Sequence, residues 1–430
     1  MTSLPQYRTV LLVVCLLINR FCFSQAESNA VFPTIFVGKT VTIHSQFEGL
    51  PVVEPHLSAH PSDASHLLAA AMVVTAIDRP YESCRLSSFV SKDGGLTWKE
   101  TAHDFWGYDP WTAILPNGQT AMSWLGTKGS FQHQFPLQFF SSDDGGENWD
   151  RSTQSFHSNH GHDGTKITAL GRDFYFTTVR FNGDMSADVV LYHRRRNGEF
   201  TEAAKVDAQG VRLNYCEPVI LGDGSVLVLS SHYLTKAWIQ RYDPKTRLLS
   251  DKSLISLRPG GGRGYMRMLA DTKSGSMFYD RVYFVRAAEG VWLNYSADRG
   301  QTWSQDIRVD QFDNSITSQS MVASVAVSKD GIVGISWADS QHDPSQQKND
   351  IYFALSIDGG LSFCPPIRVT DVSTHPKTRK NGDAANKFPG GGHYMNIVSR
   401  ADSSFQLIWS DSRSGVFELQ TCHIAIGSKE

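Results

Sequence analysis

The chain has 430 residues, with 40 lysines and arginines against 43 aspartates and glutamates, and a formal net charge of −3 at pH 7. This near balance, with no basic run, argues against nucleic acid as a partner. No stretch after the N-terminal region is apolar enough for a transmembrane helix, and no nucleotide, flavin or haem motif is present. We therefore expect no organic cofactor and no membrane association by the body of the chain.

The N-terminus has the pattern of a secretory signal peptide. Arg8 supplies a positive charge, Val10–Ile18 forms a short apolar core, and Ser24-Gln25-Ala26 resembles an A-x-A cleavage site. We expect residues 1–26 to be removed, which makes the mature protein secreted or periplasmic; an uncleaved anchor is the alternative. Residues 27–430 then form a single domain.

Four cysteines remain after cleavage, namely Cys84, Cys216, Cys364 and Cys422. An even number of cysteines in an exported chain permits disulfides, and three pairings are possible. Buried free thiols are an equally good interpretation. No Cys-x-x-Cys spacing occurs, so a zinc site is not expected, and no other metal is predicted.

One eight-residue pattern occurs four times, as Ser-x-Asp-x-Gly-x-Thr/Asn/Ser-Trp/Phe. The copies are Ser91–Trp98, Ser142–Trp149, Ser296–Trp303 and Ser356–Phe363. Each follows a run of aromatic and β-branched residues that is typical of a strand. The aspartate can bond nearby backbone N–H groups, and the glycine can adopt positive φ. We interpret Asp93, Asp144, Asp298 and Asp358 as structural residues that close hairpins away from any site.

The long gap between the second and third copies predicts two further units without the pattern, because propeller repeats have a period of about 40–50 residues. The first strands of seven predicted units begin near Glu54, Asp109, Asp163, Glu217, Tyr265, Met321 and Tyr394. The last unit lacks a fourth strand, which residues 33–45 could supply, and such closure removes exposed edges. The sequence therefore predicts an all-β fold, a β-propeller of four-stranded blades that is seven-bladed, with six blades as the alternative.

In such a fold the starts of the first strands and the ends of the second strands meet at one mouth of a central channel. The acidic and phenolic candidates there are Glu217, Tyr265, Tyr394, Asp109 and Asp163. The candidates for binding a ligand are Arg180, Arg263, Arg286, Arg413, His232 and His393, with Trp111 as a surface for stacking on a sugar. Glycine-rich segments at 259–262 and 389–392 would let backbone approach a ligand. Solvated ion pairs are the alternative interpretation of such charged rings.

The repeated pattern and the units, over residues 50–425, resemble the Asp-box β-propellers of the sialidase (neuraminidase) superfamily. The resemblance implies cleavage of terminal sialic acids with retention, by a tyrosine nucleophile backed by a glutamate, an aspartate acid/base and three arginines that clamp the sugar carboxylate. The segment 214–229 resembles the one that carries the glutamate, which makes Glu217 the candidate. Tyr265 and Tyr394 are alternative nucleophiles, and Asp109 and Asp163 are alternative acid/bases.

Three arginines match the family's clamp by their place in the units: Arg180, Arg286 and Arg413. The family's Phe/Tyr-Arg-Ile-Pro motif is absent, and His232 stands where the family usually has an arginine. The phrase Trp409–Arg413 has a structural interpretation as well, in which Asp411 pairs with Arg413 and fixes a loop.

We predict an exported, monomeric, sialidase-like glycoside hydrolase that removes terminal sialic or other acidic sugars from glycans. The alternative is a non-catalytic propeller that binds a glycan or a protein partner, or serves as a scaffold, because fold alone does not decide function.

Overall fold

The structure is a computed structural model that describes residues 31–80, 83–126, 136–184, 186–195, 198–206, 213, 215–232, 236–255, 257, 266–311 and 322–427. The predicted signal peptide and two predicted site residues, Arg263 and Tyr265, lie outside the described residues. In the part of the chain that is described, no helix has the length and apolarity needed to span a membrane.

The first half of the chain forms strands in antiparallel sheets. The strands are β1 (Thr34–Val37), β2 (Val41–Ile43), β3 (Val52–Ala59), β4 (Leu67–Val74), β5 (Cys84–Ser91), β6 (Lys99–Ile114), β7 (Thr120–Gly126), β8 (Leu137–Ser142), β9 (Asp150–Phe156), β10 (His162–Leu170), β11 (Asp173–Phe181), β12 (Ala187–Arg195) and β13 (Thr201–Val206). Strands β3 to β9 make one sheet and β10 to β13 make the next, each in chain order.

The second half continues in the same way. The strands are β14 (Tyr215–Ile220), β15 (Val226–His232), β16 (Lys236–Asp243), β17 (Leu248–Leu249), β18 (Ser253–Ile255), β19 (Met266–Ala270), β20 (Val282–Ala287), β21 (Val291–Ser296), β22 (Ile307–Arg308), β23 (Val322–Val327), β24 (Val333–Asp339), β25 (Asp350–Ser356), β26 (Ile367–Arg368), β27 (Asn396–Ser399), β28 (Phe405–Asp411) and β29 (Glu418–Gly427). They form sheets β14–β18, β19–β22, β23–β26 and β27–β29. The all-β prediction is confirmed, because the described helical elements are a short helix, α1 (Ala384–Lys387), and a 3₁₀ turn, Pro389–Gly391.

Strands that pair in series form groups of about four, and β6 belongs to two of these groups, β3–β6 and β6–β9. It is 16 residues long, and its first part pairs with β5 while its second part pairs with β7. The sequence predicts separate strands here, one ending a unit and one beginning the next. The structure joins them in one strand that continues through Gly107–Trp111, although Asp109 in this segment has a positive φ of 52°.

The first strand of each group contacts the first strand of the next group. The series of inner strands is β3, the second part of β6, β10, β14, β19, β23 and β27, and β27 contacts β3 again. The predicted use of residues 33–45 is confirmed, because β1 and β2 both pair with β29 at the edge of the last sheet. The N-terminal strands thus cover an edge that would otherwise expose unpaired backbone groups.

The second strand of a group is covered on both faces. All eight residues of β4 are buried, and so are all seven of β24 and of β28. Strands of this kind consist of near-continuous apolar residues, whereas half-exposed strands alternate. Trp337 and Trp409 are fully buried, and one core cluster takes in residues from β20 to β28. The core therefore lies between successive sheets.

The four copies of the repeated Ser-x-Asp-x-Gly pattern, which we call Asp boxes, form the hairpin closures that the sequence predicts. In the first, Asp93 Oδ1 accepts hydrogen bonds from the N–H groups of Leu96 (3.0 Å) and Thr97 (2.9 Å), and Ser91 Oγ donates to the same oxygen (2.9 Å). The same bonds recur around Asp144, Asp298 and Asp358. Partial burial acts to raise the pKa of each carboxyl group, but these hydrogen bonds outweigh it and lower the pKa, for Asp144 to about 2.

The third Asp box departs from the others at one position. Where the first box has Gly94 at φ 75°, the third has Arg299 at φ 61°, a conformation that favours glycine. The Arg299 guanidinium forms ion pairs with Asp280 (2.9 Å) and Asp223 (3.2 Å). These two pairs offset the strain of a left-handed arginine.

We expect Asp358→Ala to lower the free energy of unfolding by about 1–2 kcal/mol at neutral pH, since charge-assisted hydrogen bonds are lost. The folded-state pKa of Asp358 is lowered, so its stabilisation is present above the unfolded value and is lost as the pH falls through the folded value. Urea unfolding from pH 7 down to about pH 3 should show the two proteins converging. Asp330→Ala, at an exposed position outside the boxes, is the control. An equal loss in both variants would contradict the structural role of the box.

Candidate active site

Two inner strands shift register next to an acidic residue that is followed by proline. The shift in β3 lies at Glu54, where φ is 55°, and the shift in β6 lies at Asp109, where φ is 52°. A third shift, in β10, lies at Gly164, where φ is 53°. Positive φ in a residue with a side chain costs about 1–3 kcal/mol and is concentrated at functional sites. The strained backbone therefore marks Glu54 and Asp109 as candidates for a function.

The carboxyl groups of Glu54 and Asp109 lie close enough to each other to share a proton in a hydrogen bond. Burial, together with the negative charges of Glu54 and Asp163, raises the pKa of Asp109 well above its ordinary value. Burial acts in the same direction on Glu54, but the hydrogen bond and the charge of His393 outweigh it and lower the pKa of Glu54. Of the two coupled carboxyl groups, Asp109 therefore holds a proton more readily than Glu54.

A glycine-rich turn brings the last sheet against Glu54. A Cβ atom at Gly392, where φ is 124°, would lie 2.3 Å from Glu54 Cγ, so only glycine permits this approach. The next residue, His393, places its Nδ1 atom 2.9 Å from Glu54 Oε1, and its N–H donates to the same oxygen at 3.2 Å. The predicted close approach of segment 389–392 is thus made to an acidic side chain.

Lys166 lies two residues beyond the third register shift and is enclosed by aromatic rings. Only 2% of its surface is exposed. The ammonium nitrogen lies 4.3 Å from the ring centroid of Trp111, 4.4 Å from that of Tyr394 and 5.3 Å from that of Tyr215. It also donates to the Tyr394 hydroxyl at 3.3 Å. Burial lowers the pKa of Lys166, although the acidic groups around it, Asp109 first and then Cys216 and Glu217, oppose this shift.

Glu217 is buried, and both of its carboxylate oxygens accept hydrogen bonds. Its Oε1 atom accepts from Nε of Arg267 at 2.8 Å, and its Oε2 atom accepts from the N–H of Met268 at 2.7 Å and from the Tyr215 hydroxyl at 3.4 Å. Burial and the charge of Glu217 raise the pKa of Tyr215 well above its ordinary value. The described tyrosine bonded to Glu217 is therefore Tyr215, which precedes it by two positions on the same face of β14.

Five consecutive inner strands each contribute one side chain to a connected layer, which we call the inner ring: His56, Trp111, Lys166, Glu217 and Arg267. The His56 and Trp111 rings lie 3.8 Å apart, and the guanidinium carbon of Arg267 lies 4.8 Å from the Trp111 ring centroid. Burial, together with the charges of Arg267 and Lys166, holds the pKa of His56 well below its ordinary value. The layer thus contains a neutral histidine in a positive electrostatic field.

The other predicted site residues are placed as follows. His393 lies on Glu54, and Asp163 lies beside Asp109 in the register shift of β10, while His232 is the last residue of β15. The three clamp candidates each hold a separate partner: Arg180 with Glu202 (3.0 Å), Arg286 with Asp306 (2.6 Å), and Arg413 with Asp411 and Asp371 (both 2.9 Å). The predicted Asp411–Arg413 pair is confirmed, and the arginine that the structure places on Glu217 is Arg267.

Five residues of the site and its inner ring are absent from the sequence candidates: Glu54, His56, Lys166, Tyr215 and Arg267. A signal for the first exists, because an acidic residue followed by proline recurs at Glu54, Asp109 and Glu217. The position of Lys166 follows only from the register shift before it.

No metal site is evident in the described residues, where no group of three or more His, Cys, Asp or Glu side chains is placed to hold an ion. The four cysteines of this part of the chain are buried free thiols. Burial raises the pKa of each thiol. The groups that the described residues bring to the site are carboxyl, phenol, imidazole, amine and guanidinium groups.

No protein-family model matches the chain, and no curated protein matches its sequence. Its fold is similar to that of a protein of unknown function from Dyadobacter fermentans, with a TM-score of 0.50, 14% identity, and coverage of 92% of this chain and 100% of that one. An α-L-arabinofuranosidase of Fusarium graminearum in complex with arabinobiose matches at 13% identity, with a TM-score of 0.48 and coverage of 91% and 98%. The NanB sialidase of Streptococcus pneumoniae matches at 10% identity, with a TM-score of 0.48 and coverage of 90% and 70%. At such identities the likeness concerns the fold alone.

We expect Asp109→Asn to stabilise the protein increasingly as the pH rises. The folded-state pKa of Asp109 is raised, so the unfolded chain loses this proton first and the wild type loses stability above about pH 4. Asparagine tolerates positive φ, and its amide can donate to Glu54 as the protonated acid does. The gain should reach about 1.4 kcal/mol for each unit by which the pKa is raised.

Urea unfolding of the wild type and Asp109→Asn between pH 4 and pH 8 measures this gain. Asp330→Asn serves as the control, since its position is exposed. A difference between wild type and Asp109→Asn that does not change with pH would contradict a protonated Asp109.

Proposed function

We propose that this protein is a glycoside hydrolase that removes terminal sugars at the end of the channel where Glu54 and Asp109 meet. The observation that carries the proposal is the pair of buried carboxyl groups at the two strained positions, in which the pKa of Asp109 is raised and that of Glu54 is lowered. Glycosidases use an acid that is protonated near neutral pH to protonate the leaving oxygen. Asp109 meets that requirement through burial and through its neighbours Glu54 and Asp163.

We further infer that the fold is a seven-bladed β-propeller. Shared strand β6 divides the seven-stranded sheet into two groups of four, which gives seven groups with the other five sheets of the described chain. The inner strands contact one another in series and return to β3. In this arrangement residues from β3, β6, β10 and the segment before β27 share one mouth, although they are far apart in the sequence.

In the proposed reaction Asp109 donates its proton to the glycosidic oxygen as the bond from that oxygen to the anomeric carbon breaks. The Tyr394 oxygen bonds to the anomeric carbon and passes its phenolic proton to the neutral amine form of Lys166, whose Nζ lies 3.3 Å from this oxygen and whose pKa is lowered by burial. Water then attacks the anomeric carbon and releases the sugar; the ionised Asp109 takes the proton of the water, and Lys166 returns its proton to the departing Tyr394 oxygen. Glu54 keeps the proton on Asp109, and His393 holds Glu54 in place.

We propose more specifically that the sugar removed is sialic acid or another acidic sugar, as the resemblance to Asp-box propellers implies. Lys166 and Arg267 would meet the sugar carboxylate, since Arg180, Arg286 and Arg413 are paired elsewhere. We also propose that the protein acts outside the cytoplasm, as the pattern of residues 1–26 indicates.

Hydrolysis of fluorogenic glycosides by the purified mature chain tests the function. The panel holds a sialoside, an α-L-arabinofuranoside, a uronide and neutral glycosides. We expect turnover of at least one substrate, with kcat/KM falling as the pH rises through the raised pKa of Asp109, because the ionised acid cannot protonate the leaving group. Asp109→Asn should lower kcat/KM by about 10²–10⁴-fold and should abolish this pH dependence.

Tyr394→Phe and Tyr215→Phe form a matched pair of variants, because both rings lie against Lys166 and only Tyr215 is bonded to Glu217. We expect Tyr394→Phe to be inactive and Tyr215→Phe to keep most activity; the reverse result would move the nucleophile to Tyr215. Turnover of a neutral glycoside alone would keep the enzyme and reject the acidic sugar. No turnover across the panel by the folded protein would favour a propeller that binds a glycan or protein without catalysis.

A further inference from the structure

A cleft of about 690 Å³ lies between the outer parts of two neighbouring sheets. One wall is β18, which contributes Ser253 and Leu254, and the other wall is the segment 301–306 between the third Asp box and β22, together with Asn294 of β21. The volume falls within the range of about 300–1,000 Å³ that small-molecule sites have. No lining residue belongs to the carboxyl pair or to the inner ring, so the cleft is separate from the candidate active site.

The polar part of the lining is fixed by a buried arginine. Arg286 is 1% exposed; its Nη1 donates to Asn294 Oδ1 and its Nη2 to Asp306 Oδ1, both at 2.6 Å. Asn294 Nδ2 donates in turn to Asp306 Oδ1 at 3.0 Å. Asp306 is the charged residue of the lining, and the ion pair with Arg286 neutralises it. The cleft therefore presents preformed polar groups without a net charge, which favours a neutral ligand.

Apolar surface lies beside these polar groups. Trp303, at the end of the third Asp box, is half-buried, and its ring meets that of Phe284 edge-on with centroids 6.3 Å apart. Leu254, on the opposite wall, is 65% exposed, and the exposed Gln305 amide makes no hydrogen bond within the described chain. A sugar has the matching pattern, since C–H groups cover the faces of its ring and hydroxyl groups surround them, and amides bond hydroxyls as donor and as acceptor.

The tryptophan of the third box differs from those of the first two boxes. Trp98 Nε1 donates to the carbonyl oxygen of Gly95 at 3.2 Å, and Trp149 Nε1 donates to Ser88 Oγ at 3.1 Å. Trp303 Nε1 is buried without an acceptor among the residues that the structure describes. A buried donor without a partner is costly and is rare in native proteins. An oxygen-rich ligand in the cleft is a source of the acceptor that the third box lacks.

We propose that this cleft is a second binding site, for a neutral oligosaccharide. One sugar ring packs between Trp303 and Leu254, and its hydroxyl groups bond the Gln305 amide. The site holds a glycan chain at the outer edge of the domain, away from the carboxyl pair. The proposal is independent of glycoside hydrolysis, because it needs neither Asp109 nor any residue of the inner ring.

Titration calorimetry of the mature chain with four neutral tetrasaccharides tests the site, namely cellotetraose, xylotetraose, maltotetraose and mannotetraose. We expect saturable binding of at least one, with a Kd of about 1 mM or below. Trp303→Phe introduces the residue that the fourth box has at this position, Phe363, so the box should still fold while the stacking surface shrinks. Leu254→Asn removes an exposed apolar side chain. Each variant should weaken binding by about fivefold or more.

The first Asp box provides the matched controls. Trp98→Phe and Leu96→Asn make the same changes there, Leu96 being 71% exposed, and both should bind the sugar like the wild type. The kcat/KM for a fluorogenic glycoside should be the same in the cleft variants and in these controls. A wild type that binds a tetrasaccharide but hydrolyses no substrate would contradict the proposed function and leave this site intact.

Three results would overturn the proposal. Failure of the folded wild type to bind any of the four tetrasaccharides would do so, and would leave a peptide as the occupant of the cleft. Unchanged binding in both cleft variants would place the sugar at the candidate active site instead. Equal weakening in the cleft variants and their controls would show a general effect on the fold, which thermal unfolding of all four variants measures directly.

Discussion

The pairing of β1 and β2 with β29 is the contact on which the arrangement of the chain depends. It joins residues near the start of the described chain to its last strand, so the outer edge of the last sheet depends on residues that are far away in the sequence. Such non-local contacts close a large loop and are slow to form. The same closure brings β27 to β3, and with it His393 to Glu54. The candidate site is therefore complete only when the two ends of the domain have met.

The electrostatic character of the site follows from where the register shifts lie. Each shift adds one residue to an inner strand and changes the direction of the side chains beside it. At Glu54 and Asp109 this change brings two carboxyl groups together in a buried place, where they cannot both ionise. The Lys166 side chain, two residues beyond the third shift, lies against the aromatic faces of Trp111, Tyr394 and Tyr215. An acidic group, an amine and a phenol therefore lie close together at the site.

Much of the fold is predictable because its signals are local. The bonds of an Asp box join residues at most four positions apart, so the pattern Ser-x-Asp-x-Gly specifies its own geometry. The predicted unit starts lie close to the observed starts of β3, β10, β14, β19, β23 and β27, and acidic or aromatic residues mark all of these points except that of β23. The shared strand β6 was not predictable, since nothing in its composition distinguishes a continuous strand from two.

The site was harder to predict, because it depends on register and on distant contacts. Glu217 was found from its surrounding segment, but its partner Arg267 is contributed by another sheet. The face on which an arginine lies changes when a strand shifts by one residue, so the position of Arg180 near a strand end did not reveal its pairing with Glu202. The roles of Glu217, Asp163 and the three clamp arginines remain predictions. Lys166 has no local signal at all.

The four buried thiols have a consequence for where the protein can fold. None of Cys84, Cys216, Cys364 and Cys422 is cross-linked, and burial keeps each in its protonated, unreactive form. Cohesion between the sheets comes from packing and from hydrogen bonds, neither of which responds to the redox potential. The fold is therefore indifferent to the compartment, and a chain that lacked its N-terminal segment should reach the same structure in a reducing cytoplasm as in an oxidising exterior.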